Sequence, residues 1–235
     1  SNEDGSIDTS QRALYDDRED EWMAPVDIYM DQFVESLKEV PAGSGVECLV
    51  YVTRDPDESG RMPCVRLRNM ASIDSDIGVS VVSDLPLYVE GNINTEDTKT
   101  VMVAADAITM LSRDWQDIRS TWSVNDRRAV DTENNAVIMT GNTHTDGSAY
   151  NGGVENVLRF LERWSGRTYL YRGSIIDLWQ SRMADSRWSY GNYYTAPNRD
   201  WGYDQRYRTQ NPPGMTKVFG IEELSWEETS WPPED

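Results

Sequence analysis

Apolar positions fall in short, β-branched-rich blocks along most of the chain, and corners of Asp, Asn, Gly and Pro separate them. That is the pattern of short strands joined by tight connections. It predicts strands at Val46–Thr53, Met62–Arg68, Gly78–Val82, Leu87–Glu90, Val101–Ala105, Ala107–Leu111 and Ala136–Thr140. Two stretches carry a helical period instead. Val26, Met30, Phe33 and Leu37 form one apolar stripe, with Pro25 suited to a first turn and Pro41 and Gly43 to a stop. Val154, Val157, Leu158, Leu161 and Trp164 form a second stripe over Gly153–Trp164, ended by Gly166. Both stripes read as core packing. Thr168–Arg172 and Ser174–Trp179, joined at Gly173, predict a tight hairpin.

Short strands, polar corners and only two helical stripes predict a mainly β (α+β) chain, not a βαβ sheet. The expected core is an irregular β-solenoid or a β-sandwich-like packing of short strands with two amphipathic helices. The Gly91-Asn92-Ile93-Asn94 and Gly141-Asn142-Thr143-His144 corners resemble each other and point toward the solenoid, although no strict repeat length exists.

Composition narrows the class. The 235 residues hold 22 Lys and Arg against 41 Asp and Glu, a formal charge of −19. Duplex nucleic acid and anionic membrane surfaces are bound mainly by positive charge, so neither is expected as the main partner. With 9 Trp and 12 Tyr, the chain is richer in aromatics than disordered acidic segments are, and is expected to fold. No apolar run reaches the ~18 residues of a membrane span. The opening Ser1-Asn2-Glu3-Asp4-Gly5 is polar and lacks a signal-peptide pattern, which leaves a leader or anchor ahead of it open. Residues 1–21 carry eight acids and two arginines, predicting an acidic N-terminal arm that is either mobile or docks as a strand. Residues 22–235 predict a single β-rich domain, with an aromatic and arginine-rich wrap at 187–208.

Cysteine and histidine usage bounds the chemistry. Asp55-Pro56-Asp57-Glu58-Ser59-Gly60 is turn chemistry between two predicted strands, and a hairpin there sets Cys48 opposite Cys64. These two form the disulfide candidate if the protein is exported, with a pair of free thiols as the other reading. The single histidine, His144, excludes zinc sites built on two or three histidines in one chain, and two cysteines cannot replace them. No Gly-x-Ser-x-Gly elbow is present. The acidic turns at 55–60 and 74–76 read as solvated turns, and no metal or other cofactor is expected.

One further pattern spans nearly the whole chain. It runs through Leu14-Tyr15-Asp16-Asp17-Arg18-Glu19, Val65-Arg66-Leu67-Arg68-Asn69, the Val81–Asn94 stretch with Pro86-Leu87-Tyr88-Val89, and Ala104–Ser112. Ile138–Asn142, Gly152–Asn156, Arg159–Glu162 with Trp164, and Tyr193–Asp204 follow in order. Over residues 14–228 this resembles the exported C-terminal region of bacterial type IV pilin-like or PilX-like proteins. The resemblance implies an extracytoplasmic domain, secreted, periplasmic or at the cell surface, with a protein partner in the envelope or pilus machinery. It carries over no catalytic residues.

Three functional classes follow. The first is a non-enzymatic, envelope- or pilus-associated structural or interaction domain. The second is a secreted aspartic-type peptidase, since Ile7-Asp8-Thr9-Ser10 and Val130-Asp131-Thr132-Glu133 approximate paired Asp-Thr motifs. Such chemistry needs the Asp8 and Asp131 carboxylates to share a proton around one water. The third is a carbohydrate- or single-strand-binding surface module. Its candidate residues are Trp188, Tyr190, Tyr193, Tyr194, Arg199, Trp201, Tyr203 and Arg206, because rings beside guanidinium groups stack on sugars, bases or a partner chain. Most of these rings are expected to pack against the chain's own core and the remainder to face a partner.

Overall fold

The computed structural model describes residues 14–215 apart from 42, 43, 45, 57, 146, 148, 149 and 190. It is mainly β. The strands are β1 (Leu14–Asp16), β2 (Glu21–Tyr29), β3 (Cys48–Val52), β4 (Met62–Arg68), β5 (Val79–Ser83), β6 (Leu87–Glu90), β7 (Val101–Ala105), β8 (Ile108–Leu111), β9 (Thr132–Asn142), β10 (Leu158–Phe160), β11 (Thr168–Gln180) and β12 (Asn198–Tyr203). Two short helices, α1 (Met30–Glu35) and α2 (Val154–Val157), interrupt them.

Strands β2 to β11 alternate between two six-stranded sheets. The first runs β1-β2-β4-β6-β8-β10 and the second β12-β11-β9-β7-β5-β3. Every pairing is parallel except β1 with β2. From β2 to β11, each coil contributes one strand to each sheet, which is solenoid construction. The register stacks like on like. Val65, Leu87, Ile108 and Leu158 stand in one inward row of the first sheet, and Leu67, Val89, Met110 and Phe160 in the next. Val81, Val103, Ile138 and Ile175 face them from the second sheet. These residues belong to or pack against one continuous core.

Parallel strands covered on both faces read as unbroken apolar runs. β7 and β8 are such strands, buried at every position. Asparagines join the coils at the corner after β6. Asn92 Oδ1 accepts the Glu133 N–H at 3.0 Å, Asn134 Oδ1 the Ile93 N–H at 2.9 Å, and Asn135 Nδ2 donates to Asn94 O at 3.1 Å.

The structure corrects four local expectations. β3 and β4 lie in different sheets, so the Asp55–Gly60 connection turns a coil corner and makes no hairpin. Cys48 and Cys64 are accordingly both free, Cys64 buried under the outer side of the first sheet. The predicted first helix is shorter than its stripe: Met30–Glu35 is helical as α1, whereas Pro25 and Val26 belong to strand β2, with Pro25 opposite Cys64 at a point beyond the reach of β1. There β2 has a ladder partner on one side only, where proline is tolerated. Of the predicted Gly153–Trp164 helix only Val154–Val157 is helical, because Leu158–Phe160 pairs with β8 and extends the first sheet. Gly173 joins no hairpin. It lies inside β11, where a Cβ would collide with the Ala136 carbonyl oxygen.

The outer face of the first sheet is polar yet covered. Asp27, Arg66, Tyr88, Thr109 and Arg159 share one outward row. Arg66 donates from Nε to Asp27 at 2.6 Å and from Nη1 to Asp117 at 2.6 Å. Residues 14–20 close over the row: Tyr88 Oη donates to Asp16 at 2.6 Å, and Arg127 Nη2 donates to Asp17 at 2.7 Å. This part of the predicted N-terminal arm is a docked strand and turn, while residues 1–13 lie outside the described residues. On the opposite side of the molecule, residues 204–215 cross the second sheet. Tyr207 Oη donates to Val101 O at 3.2 Å, and Ser80 Oγ donates to Pro213 O at 2.6 Å.

Candidate functional site

The predicted aromatic segment divides on folding. Tyr194 is in the core, and Trp188, Tyr193 and Trp201 pack against it. Trp188 Nε1 donates to Tyr194 Oη at 3.1 Å. Trp201 meets Tyr169 and Tyr171 edge-on, with ring centres 6.5 and 6.0 Å apart. Arg199 lies over the Trp201 ring at 5.4 Å and reaches Glu155 at 3.5 Å. Arg206 pairs with Asp204 and donates to Lys99 O at 3.1 Å. Tyr203 is exposed, and Tyr190 lies outside the described residues. Four of the rings, Trp188, Tyr193, Tyr194 and Trp201, thus belong to or pack against the core.

Of the two Asp-Thr motifs only the Asp131 copy lies within the described residues. Asp131 is exposed and its Oδ1 accepts the Thr168 N–H at 2.8 Å, capping the start of β11, and Asp8 lies outside the described residues. Among the described residues no group of three or more His, Cys, Asp or Glu is placed to hold a metal ion.

A larger cleft, of about 780 Å³, opens at the C-terminal ends of β9 and β11. It is lined from Asn142 to Thr145, by Asn151, and from Asp177 to Arg182. A bulge in β11 builds it. The β9 register shifts between Asp177 and Trp179, so that Leu178 is the extra residue and Trp179 falls opposite Gly141. Bulges of this kind re-aim side chains at sheet ends. Gly141 makes room for the indole, since a Cβ there would stand 2.5 Å from Trp179 Cδ1 and 2.8 Å from the Asp106 carbonyl oxygen. Trp179 is left 38% exposed and Leu178 63% exposed, beside a row of amides and hydroxyls.

The walls are held by buried partners. Asn142 Oδ1 accepts from Asn156 Nδ2 at 2.7 Å, and Asn151 Nδ2 donates to Thr143 O at 2.9 Å. Thr143 Oγ1 accepts from Arg18 at 2.9 Å and from Arg159 at 3.3 Å. The loop after β11 folds around the Asp106 carboxylate, which accepts the N–H groups of Arg182, Met183 and Ala184 at 2.6, 3.0 and 3.1 Å. Gln180 Nε2 and His144 Nδ1 are 2.7 Å apart at the rim. Burial pushes the Asp177 carboxyl up, against a hydrogen bond with Asn142 that holds it down. The cleft therefore has a fixed floor, an aromatic wall and one lining carboxylate among the described residues.

Of its residues, the sequence marks Asn142, Thr143 and His144 as part of a Gly-Asn corner and Trp179 as the end of a strand, and it points to none of them as a cleft wall. The available signal was adjacent large apolar side chains between Asp177 and Gln180, where a half-buried strand would alternate.

Together the two sheets and the bulge in β11 build a polar, aromatic-walled cleft on a parallel β-solenoid. No family model, curated protein or solved structure matches the chain.

Proposed function

We propose that this chain is a non-enzymatic interaction domain of an exported, envelope-associated protein of the pilin-like kind, and that its recognition surface is the His144–Trp179 cleft. The observation that carries this reading is the exposed Trp179 indole seated against Gly141 beside Asn142, Thr143, Asn151 and Gln180. An aromatic face flanked by amides and hydroxyls suits the alternating C–H and O–H surface of a neutral saccharide. Binding sites combine apolar walls with a few placed polar groups in this way.

Three buried carboxylates serve the fold. Glu19 is paired with Arg159, Glu162 accepts from Ser112, and Asp106 holds a loop. A solenoid also suits a structural domain, because its stacked coils hold surface side chains at fixed spacing. The test is a glycan array probed with the full chain and with Trp179→Ala. Saccharide binding lost in the variant supports the reading. Turnover of a bound saccharide or peptide, or binding indifferent to Trp179, overturns it.

A further inference from the structure

Three arginines close on one small cavity where connections from the first sheet to the second stack. Arg128 precedes β9, and Arg163 and Arg167 lie between β10 and β11. With Ala129 and Ser165 they line a cavity of about 160 Å³, several times the ~30 Å³ that one water occupies in the liquid. Arg128 pairs with Arg163, and Arg163 with Thr195, through parallel bridges. The two arginines therefore occupy one position on adjacent coils, with Cβ atoms about 5 Å apart on the same face. Backbone bonds fix this placement. The Arg163 N–H donates to Arg127 O at 2.7 Å, the Ala129 N–H to Arg163 O at 3.1 Å, and the Asn198 N–H to Arg167 O at 2.7 Å.

Among the described residues none of the three guanidinium groups has a counter-ion. Among the described residues no carboxylate lies within 4.0 Å of them, and none of their N–H groups meets an acceptor. The acids nearest in sequence make other contacts, Asp126 with Ser123 Oγ, Asp131 with the Thr168 N–H and Glu162 with Ser112. In a chain with 41 acids to 22 bases, a stack of unpaired arginines is the reverse of what charge balance favours. Like charges opposite one another on neighbouring strands also destabilise the pairing.

We propose that this cavity binds a tetrahedral oxyanion, a phosphate or sulfate group. Guanidinium forks match such oxygens two at a time, and three forks offer more donors than the two oxygens of a carboxylate can use. The group is either a free anion or a substituent on a polymer such as a sulfated glycan. The cavity shares no lining residue with the His144–Trp179 cleft, so neither proposal rests on the other.

The test is calorimetric titration of the full chain with sodium phosphate, sodium sulfate and heparin, at an ionic strength held constant with sodium chloride. The expected result is saturable binding, weakened at least about tenfold in Arg128→Gln/Arg163→Gln. It should be unchanged in Arg172→Gln, whose arginine pairs with Asp200 elsewhere. Binding of the inorganic anions identifies a free ligand, and binding of heparin alone identifies a polymer-borne group. In chloride buffer the double variant should melt no lower than the wild type, because a repulsion has been removed. The proposal is overturned if none of the three probes saturates, if the double variant binds equally well, or if Arg172→Gln loses as much. A double variant that melts several degrees lower in chloride also overturns it, since the arginines would then be structural.

Discussion

Arg159 Nη1 donates to Glu19 Oε1 at 2.8 Å, with both side chains 2% exposed. The contact ties the N-terminal turn to β10, and the same guanidinium reaches Thr143 and Ser181, which line the cleft. Arg159→Ala leaves the Glu19 carboxylate buried without this partner, a loss that costs about 3–5 kcal/mol. Urea denaturation should show it as a lowered midpoint with an unchanged slope. A midpoint within experimental error of the wild type would mean that residues 14–21 do not clasp the sheet.

Asp106 holds the loop that follows β11 through three backbone N–H groups. Asp106→Ala leaves those donors without their acceptor, at about 1.5–3 kcal/mol for bonds to a charged group. Hydrogen exchange at Arg182, Met183 and Ala184 should quicken ahead of exchange in the sheets. Uniform acceleration would show that the loop has no local anchor.

Burial pushes the Glu162 carboxyl up to about 7, against Ser112 hydrogen bonds and the nearby Arg127 and Arg119, all of which favour the charged form. The folded state therefore binds this proton more tightly than the unfolded chain does. Stability from this group is complete below the unfolded value of 4.5 and is lost as pH rises through about 7. The slope contributed is at most about 1.4 kcal/mol per pH unit. Glu162→Gln keeps an acceptor for the Ser112 N–H and should fall less in stability than the wild type between pH 5 and 7.5. Parallel curves for the two proteins would contradict this assignment.

Both thiols should be free. Burial pushes each of them up, Cys64 further than Cys48, so thiolate is scarce at neutral pH. Alkylation of the native protein should mark Cys48 first and Cys64 only after unfolding, and intact mass under non-reducing conditions should show no loss of two hydrogens. A Cys48–Cys64 peptide in a non-reducing digest would contradict the two-sheet placement of β3 and β4.

The strands were legible because parallel sheets covered on both faces write themselves as apolar runs. Met62–Arg68, Leu87–Glu90 and Val101–Ala105 appear with the bounds read from the sequence. Their pairing was not legible. The Asp55–Gly60 turn signal is local, whereas a coil takes its register from the coils above and below it, as Val65 does from Val26 and Leu87. Val154, Val157, Leu158, Leu161 and Trp164 satisfy a helical spacing, yet pairing of Leu158–Phe160 with Ile108–Met110 overrides it. Gly173 signals a turn in sequence and a close backbone approach in the fold. The cleft was hidden for a related reason. Trp179 reaches it through a bulge opposite Gly141, and the two residues are far apart along the chain.

Trp179 is the proposed wall of a saccharide-recognition cleft. The most direct measurement is the affinity of the full chain for array-identified oligosaccharides, compared with Trp179→Ala and with the rim variant His144→Ala. The expected result is saturable binding to the wild type, a loss of at least about tenfold in Trp179→Ala, as for an aromatic anchor, and a smaller loss in His144→Ala. Equal affinities for wild type and Trp179→Ala, or no oligosaccharide bound at all, would contradict it.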